Sequence, residues 1–174
     1  MRNNTPKHLD KASDIAERTN EQLGAQSIPA LYLELVLANR SRQYRLDAEQ
    51  RKGTVEIMHT LLGIELKIGR RRLVCPDLAT ARYLAVFARI GVDLIAVPYD
   101  ISQLSRIADE FESSWHRTLL LTDHLTAGRT DRLRNKVRNI VVSQIREEIK
   151  KLGAGSEIPI FPQIIKRRRT PKPS

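Results

Sequence analysis

Three charged side chains near the middle of the chain have the types and spacing of a metal-assisted site. Glu65 and Lys67 stand two residues apart in the run 63–69, where apolar residues alternate with them. Alternate side chains of a β-strand point to the same side, so we expect Glu65 and Lys67 in one cleft. An earlier acid, Glu56, would lie on an adjacent strand and complete an oxygen-rich site suited to Mg²⁺. The alternative is a solvated strand face with an ion pair of little energetic value.

The elements around this triplet are expected to form a small antiparallel unit. Alternation of apolar and polar residues over 54–61 favours a strand, although a short helix also suits the sequence. Gly69 and the arginines 70–72 predict a turn, after which 73–75 returns as a paired strand.

A helix and another strand follow the triplet. Asp77 is a credible N-cap for a helix that Gly91 ends, and the apolar run 92–97 predicts a buried strand before Pro98. A strand, a short helix and a strand over this distance favour a right-handed βαβ unit. The segment 73–97 is therefore predicted to contain a parallel pair of strands.

Further helices are expected on either side. Ser27 predicts the start of a helix over 28–43 that is apolar nearly all round, with Glu34 as its one early acid. Asp100 is expected to cap a helix that leads into 118–125. Apolar residues recur at helical spacing over 130–152 and predict a long amphipathic helix. Residues 1–26 are polar and indicate a poorly packed or helical arm rather than core.

The chain has 174 residues, 41% of them hydrophobic, which suits one domain with tails. We divide it into an arm over 1–26, an α/β core domain over 27–126, a basic helix over 127–155 packed on that core, and a basic tail over 156–174. The only cysteine, Cys75, allows no internal disulfide and no zinc site built on several thiolates. No signal peptide or membrane-spanning run is visible, so a cytoplasmic protein is expected.

The formal charge of +10 points to a polyanionic partner. The excess of positive charge falls in residues 25–76, 127–152 and 153–174, and localised excess of this kind attracts nucleic acid. We expect phosphate contacts from arginines and lysines in those three regions: Arg42, Arg45, Arg70, Arg71, Arg72, Arg132, Arg134, Lys136, Arg138, Lys166, Arg167, Arg168 and Arg169. DNA is preferred to RNA, because no aromatic platform for RNA bases is visible.

The triplet and its surroundings also resemble a known family. An E-x-K on a strand, with an acid on a neighbouring strand and a helix and strand afterwards, is similar to the core of the PD-(D/E)xK, or restriction-endonuclease-like, nucleases over about residues 54–97. The resemblance implies a Mg²⁺-dependent endonuclease in which Glu56 and Glu65 hold the metal and Lys67 orients the attacking water. Glu34 would match the helical carboxylate of some members. The chain departs from the pattern, since Glu56 stands where the family usually has Asp.

The sequence thus predicts an α/β fold, a small mixed sheet flanked by helices, with a long basic amphipathic C-terminal helix. The predicted function is nucleic-acid binding, with DNA favoured. Two alternatives stay open. One is the Mg²⁺-dependent endonuclease, and the other is a protein-interaction adaptor in which the helix over 130–152 pairs with a partner or with its own copy in a homodimer or larger homo-oligomer.

Overall fold

The computed structural model describes residues 11–48 and 53–155, and it has a mixed α/β fold, as the sequence predicts. Its helices are α1 (Ala12–Leu23), α2 (Ile28–Leu31), α3 (Leu78–Ile90), α4 (Leu104–Leu125) and α5 (Asp131–Leu152), and π-helical turns over Tyr32–Leu37 continue α2. Its strands are β1 (Ser41–Arg45), β2 (Val55–Thr60), β3 (Gly63–Ile68), β4 (Arg71–Cys75) and β5 (Leu94–Pro98).

A three-stranded antiparallel sheet of β2, β3 and β4 holds the triplet. Ile57, Leu66 and Leu73 lie opposite one another across its three strands. Leu66 is fully buried, and this face packs on α3. The strand predicted over 54–61 is confirmed, while the turn is tighter than expected because β4 already begins at Arg71.

The predicted parallel pair within 73–97 is wrong. β4 pairs with β3, and β5 pairs antiparallel with β1 in a separate two-stranded sheet. At the edge of β5 that faces away from β1, tyrosine hydroxyls take the place of a neighbouring strand. Tyr83 donates to the Ala96 carbonyl at 2.6 Å, and Tyr32 accepts from the Ala96 amide at 2.7 Å. Because Ala96 satisfies both backbone groups in this way, β5 needs no second strand there.

Helix α3 fills the centre of the molecule. Its Asp77 cap accepts from the Thr80 amide at 2.7 Å, and Gly91 ends it in the left-handed conformation, both as predicted. Tyr83, Phe87 and Phe111 of α4 form a cluster of tilted and edge-on rings with centroids 5.0 to 5.6 Å apart. Offset contacts of this kind add to the stabilisation from burial.

Two predictions about the flanking helices need correction. The helix that Ser27 caps is regular or π-helical only as far as Leu37, and Ser41–Arg45 is extended as β1, because its partner β5 supplies the hydrogen bonds that favour a strand. Residues 1–26 are not all outside the core. Ile15 and Ala16 of α1 are buried in the main hydrophobic cluster, where α1 packs against α5.

Helix α5 is long and amphipathic, as predicted. Thr130 caps it by accepting from the Leu133 amide, and Gly153 follows its last residue. Its apolar side is buried in the same cluster as α1 and α3, through Val137, Val141, Ile145 and Ile149.

Candidate nucleic-acid interface

The three residues of the predicted catalytic site share one face of the three-stranded sheet. Glu56 of β2 is the direct cross-strand partner of Lys67 on β3, and Glu65 lies two positions further along β3. Alternate residues of a strand face the same way, so all three side chains lie on the side away from α3. Arg72 of β4 is opposite Lys67 and joins this face.

These side chains interact with one another. The Lys67 ammonium donates to a Glu56 carboxylate oxygen at 3.2 Å, and that bond, together with one from Thr54, lowers the pKa of Glu56. Arg72 places a guanidinium nitrogen 3.5 Å from Oε2 of Glu65. The face therefore carries two ion pairs, Glu56 with Lys67 and Glu65 with Arg72.

Glu65 is the unusual member of this face. It is 6% exposed, and its Oε1 accepts from the Thr60 hydroxyl at 3.4 Å. Within the described chain its Oε2 has the ionic contact with Arg72 but no hydrogen bond of good geometry. A buried carboxylate with one incompletely satisfied oxygen is costly and favours a nearby cation.

The arrangement gives limited support for a metal ion. Oxygen ligands from Glu56 and Glu65 suit Mg²⁺ in type, yet each carboxylate already faces a cationic side chain. Across residues 11–48 and 53–155, no group of three His, Cys, Asp or Glu side chains could hold a metal ion. Glu34 is exposed on the π-helical turns after α2. The metal ligands and the catalytic roles stay predictions.

Helix α5 carries a second and more continuous polar surface. One side of the helix presents exposed polar residues at intervals of three and four, which places them along a single line: Arg132, Asn135, Lys136, Asn139 and Ser143. We call this set the α5 stripe. It lies opposite the buried apolar side and contains no acid. Eleven residue steps give it a length of roughly 16 Å.

Three other basic residues of α5, Arg134, Arg138 and Arg146, have partners within the protein. Arg138 makes hydrogen bonds of 2.5 to 3.0 Å with the Asp123 carboxylate of α4. Arg134 lies 3.3 Å from Asp131, and Arg146 donates to the Ile90 carbonyl at the end of α3. The Arg138 and Arg146 contacts fasten α5 to α4 and α3, whereas the Arg134 pair lies within α5. These three arginines are therefore less available to a partner than Arg132 and Lys136 of the stripe.

The remaining predicted phosphate contacts divide in the same way. Arg42, Arg45 and Arg70 are exposed, although Arg45 lies 3.7 Å from Asp47. Arg71 is less exposed and lies 3.2 Å from the same carboxylate. Arg71 also donates to the Leu46 carbonyl. The four predicted cations of the tail, 166–169, lie outside the described residues.

Sequence reasoning overlooked the uncharged members of the stripe. Asn135, Asn139 and Ser143 carry no charge, so a search for basic residues passes over them. A signal was available, since their spacing from Arg132 and Lys136 matches one helical face. Amide side chains on such a face matter because Asn can make two hydrogen bonds to adenine in the major groove.

In the part of the chain that the structure describes, no helix combines the length and apolar character needed to cross a membrane. Comparison of the sequence with protein-family models, with curated proteins and with solved structures found no match.

Proposed function

We propose that the protein binds duplex DNA by placing the α5 stripe against it. The observation that carries this proposal is the exposed line of Arg132, Asn135, Lys136, Asn139 and Ser143, which no acidic side chain interrupts. An α-helix fits the major groove of B-DNA, which is about 12 Å wide. The stripe is long enough to lie along that groove.

The stripe combines the two kinds of contact that DNA recognition needs. Arg132 and Lys136 lie one helical turn apart and would meet phosphates, which supplies affinity without sequence preference. Asn135 and Asn139, also one turn apart, would reach base edges, where adenine offers a matching acceptor and donor. The cytoplasmic location expected from the sequence remains part of this proposal.

The helix itself provides a matched experiment. Arg132→Ala/Lys136→Ala removes two cations from the stripe, while Arg134→Ala/Arg138→Ala removes two cations at the same spacing that pair with Asp131 and Asp123. Fluorescence anisotropy with a labelled duplex of mixed sequence compares the two variants at equal net charge. We expect about 10- to 100-fold weaker binding for the stripe variant. Equal losses in the two variants would contradict the proposal.

Base contacts have a separate test. Asn135→Ala/Asn139→Ala should leave the affinity for random duplexes nearly unchanged. It should reduce the difference in binding free energy between preferred and random duplexes by about 1 to 3 kcal/mol per lost contact. Selection of preferred sequences from a random pool, carried out with both proteins, measures this. A wild-type protein that selects no sequence would limit the stripe to phosphate contact.

The endonuclease alternative stays a proposal beside this one. Its support is the buried Glu65, whose Oε2 lacks a hydrogen bond of good geometry, on the same face as Glu56 and Lys67. If the chain cuts DNA, cutting should need Mg²⁺, and Lys67→Ala should abolish cutting while leaving duplex affinity within about twofold. Cutting that survives Lys67→Ala would exclude this site as its source.

The adaptor alternative draws less from the structure. The apolar side of α5 is occupied by the protein's own α1 and α3 and offers a partner only its polar side and edges. Loss of a dimer on Ile140→Asp, measured by analytical ultracentrifugation, would support the adaptor. A monomeric wild-type protein would argue against it.

A further inference from the structure

A cleft distant in sequence from the α5 stripe lies where the paired ends of β1 and β5 meet the start of α4. It has a volume of about 300 Å³. Its walls combine apolar side chains with two arginines, two amides and one acid: Leu35, Pro98, Tyr99 and Ile107 with Arg40, Arg106, Asn39, Gln103 and Asp100. The volume is at the small end of the range for small-molecule sites.

Backbone pairing fixes one wall of the cleft. The Tyr99 amide donates to the Arg40 carbonyl at 3.1 Å, which extends the β1–β5 ladder by one residue pair. Across that pair, the Arg40 guanidinium carbon lies 5.0 Å from the centre of the Tyr99 ring. A cation–π contact of this kind holds the guanidinium in place over the ring.

The charge of the cleft is positive on balance. Arg106 donates to the Gln103 amide oxygen at 3.0 Å, and within the described residues neither Arg106 nor Arg40 has an ion pair with a carboxylate. Asp100 directs one carboxylate oxygen to the Ser102 amide and hydroxyl, at 3.0 and 2.5 Å. With two arginines and one acid, the cleft has a net positive charge that favours binding of a compact anion. Guanidinium groups can bind two phosphate oxygens at once.

The rest of the cleft favours a flat, partly apolar group next to that anion. Leu35 and Ile107 are apolar, and Tyr99 is 44% exposed. Asn39 also lines the cleft, and its amide nitrogen donates to the Leu35 carbonyl at 3.0 Å. Aromatic and apolar walls with a few amides are what a nucleobase requires.

We propose that this cleft binds one phosphorylated nucleotide, with its phosphate between Arg40 and Arg106 and its base against Tyr99 and the apolar wall. The nucleotide is either free or the terminal residue of a single strand. The site shares no residue with the α5 stripe and does not rest on duplex binding, so either proposal can fail without the other.

Isothermal titration calorimetry with adenosine monophosphate, adenosine and inorganic phosphate tests the site on the full-length protein. We expect the monophosphate to bind at least tenfold more tightly than adenosine or phosphate alone, because only it engages both halves of the cleft. Arg40→Ala/Arg106→Ala should weaken that binding about 10- to 100-fold. Arg89→Ala/Arg129→Ala, which removes two exposed arginines outside the cleft and the stripe, should leave it unchanged. Arg106→Ala alone, at an exposed helix position, serves if the double variant does not fold.

A second titration identifies the source of the nucleotide. A short single strand with a 5′ phosphate is compared with the same strand without it. If the phosphorylated strand binds more tightly, and the Arg40→Ala/Arg106→Ala variant loses this advantage, the cleft holds the end of a strand. If the two strands bind equally, the cleft is assigned to free nucleotide. Absence of binding by the monophosphate at millimolar concentration, or binding that the cleft variant leaves intact, would overturn the proposal.

Discussion

The two tyrosines at the free edge of β5 give a sharp prediction about stability. Tyr83 donates to the Ala96 carbonyl, while Tyr32 accepts from the Ala96 amide and donates to the Gly153 carbonyl at 2.8 Å. Tyr32, Tyr83 and Ala96 are all fully buried. Tyr83→Phe and Tyr32→Phe each remove one hydroxyl and leave the ring in place, so they isolate these hydrogen bonds.

The expected loss in free energy of unfolding depends on which backbone groups each substitution leaves without a hydrogen bond. Tyr83→Phe leaves one buried carbonyl without a partner and should lower the free energy of unfolding by about 1 to 3 kcal/mol. Tyr32→Phe leaves the buried Ala96 amide and the half-buried Gly153 carbonyl, so its cost should be larger, about 2 to 4 kcal/mol. Urea denaturation followed by circular dichroism measures both values.

The same hydroxyls predict alkaline sensitivity. Burial raises the pKa of Tyr32 to about 12 and that of Tyr83 well above its usual value of 10. Between pH 10 and 12 the unfolded chain loses these protons while the folded chain keeps them. Stability is therefore fully present below pH 10 and falls as pH rises, by up to about 1.4 kcal/mol per pH unit for each tyrosine.

The phenylalanine variants also test the pH effect. Each should show a shallower fall in stability between pH 10 and 12 than the wild type, because one group that titrates only on unfolding has gone. Two results together would refute the argument that tyrosine hydroxyls satisfy the edge of β5. The variants would match the wild type in free energy of unfolding at pH 7, and this free energy would fall between pH 10 and 12 as steeply as in the wild type.

Three further predictions concern other parts of the fold. Gly91→Ala should cost about 1 to 2 kcal/mol in chemical denaturation, because Gly91 has φ +83° and a new Cβ would lie 3.1 Å from the Arg146 guanidinium; an unchanged midpoint would contradict this. Arg82→Met should lower the free energy of unfolding by about 1 to 3 kcal/mol, since Arg82 of α3 pairs with both Asp109 and Glu112 of α4. A double-mutant cycle with Glu112→Gln should show that Arg82 and Glu112 are energetically coupled. Cys75 is 4% exposed and burial raises the pKa of its thiol, so iodoacetamide should modify it only after unfolding, and rapid labelling of the native protein would contradict its placement.

The capping residues of helices were the most predictable part of the structure. Ser27, Asp77 and Thr130 each accept a hydrogen bond from the backbone amide three residues later, as N-caps do. Gly91 ends α3 for an equally local reason, since it takes up a left-handed conformation. Signals of this kind can be identified from sequence because the interacting groups lie within one turn of each other.

Strand pairing was not predictable in the same way. The sequence of strand, helix and strand over 73–97 favoured a parallel pair, but β5 pairs with β1, which lies about fifty residues earlier. The other edge of β5 is satisfied at Ala96 by the hydroxyls of Tyr32 and Tyr83, which come from two elements distant in sequence. Partner choice in a sheet is a property of the assembled fold rather than of the strand.

The candidate site shows the same division between local and distant information. The shared face of Glu56, Glu65 and Lys67 followed from strand periodicity, and the structure has it. The different environments of Lys136 and Arg138 could not be predicted from helical periodicity, because Asp123, which pairs with Arg138, belongs to another helix. Counting basic residues therefore overestimates how many can meet phosphate.

The salt dependence of duplex binding tests the central claim most directly. Affinity of the wild-type protein for DNA, measured between 50 and 200 mM salt, should fall steeply, and Arg132→Ala/Lys136→Ala should reduce the slope of log affinity against log salt by about 2. Arg134→Ala/Arg138→Ala should leave that slope nearly unchanged. Binding that does not depend on salt, or a slope that changes equally in both variants, would contradict contact between the α5 stripe and DNA phosphates.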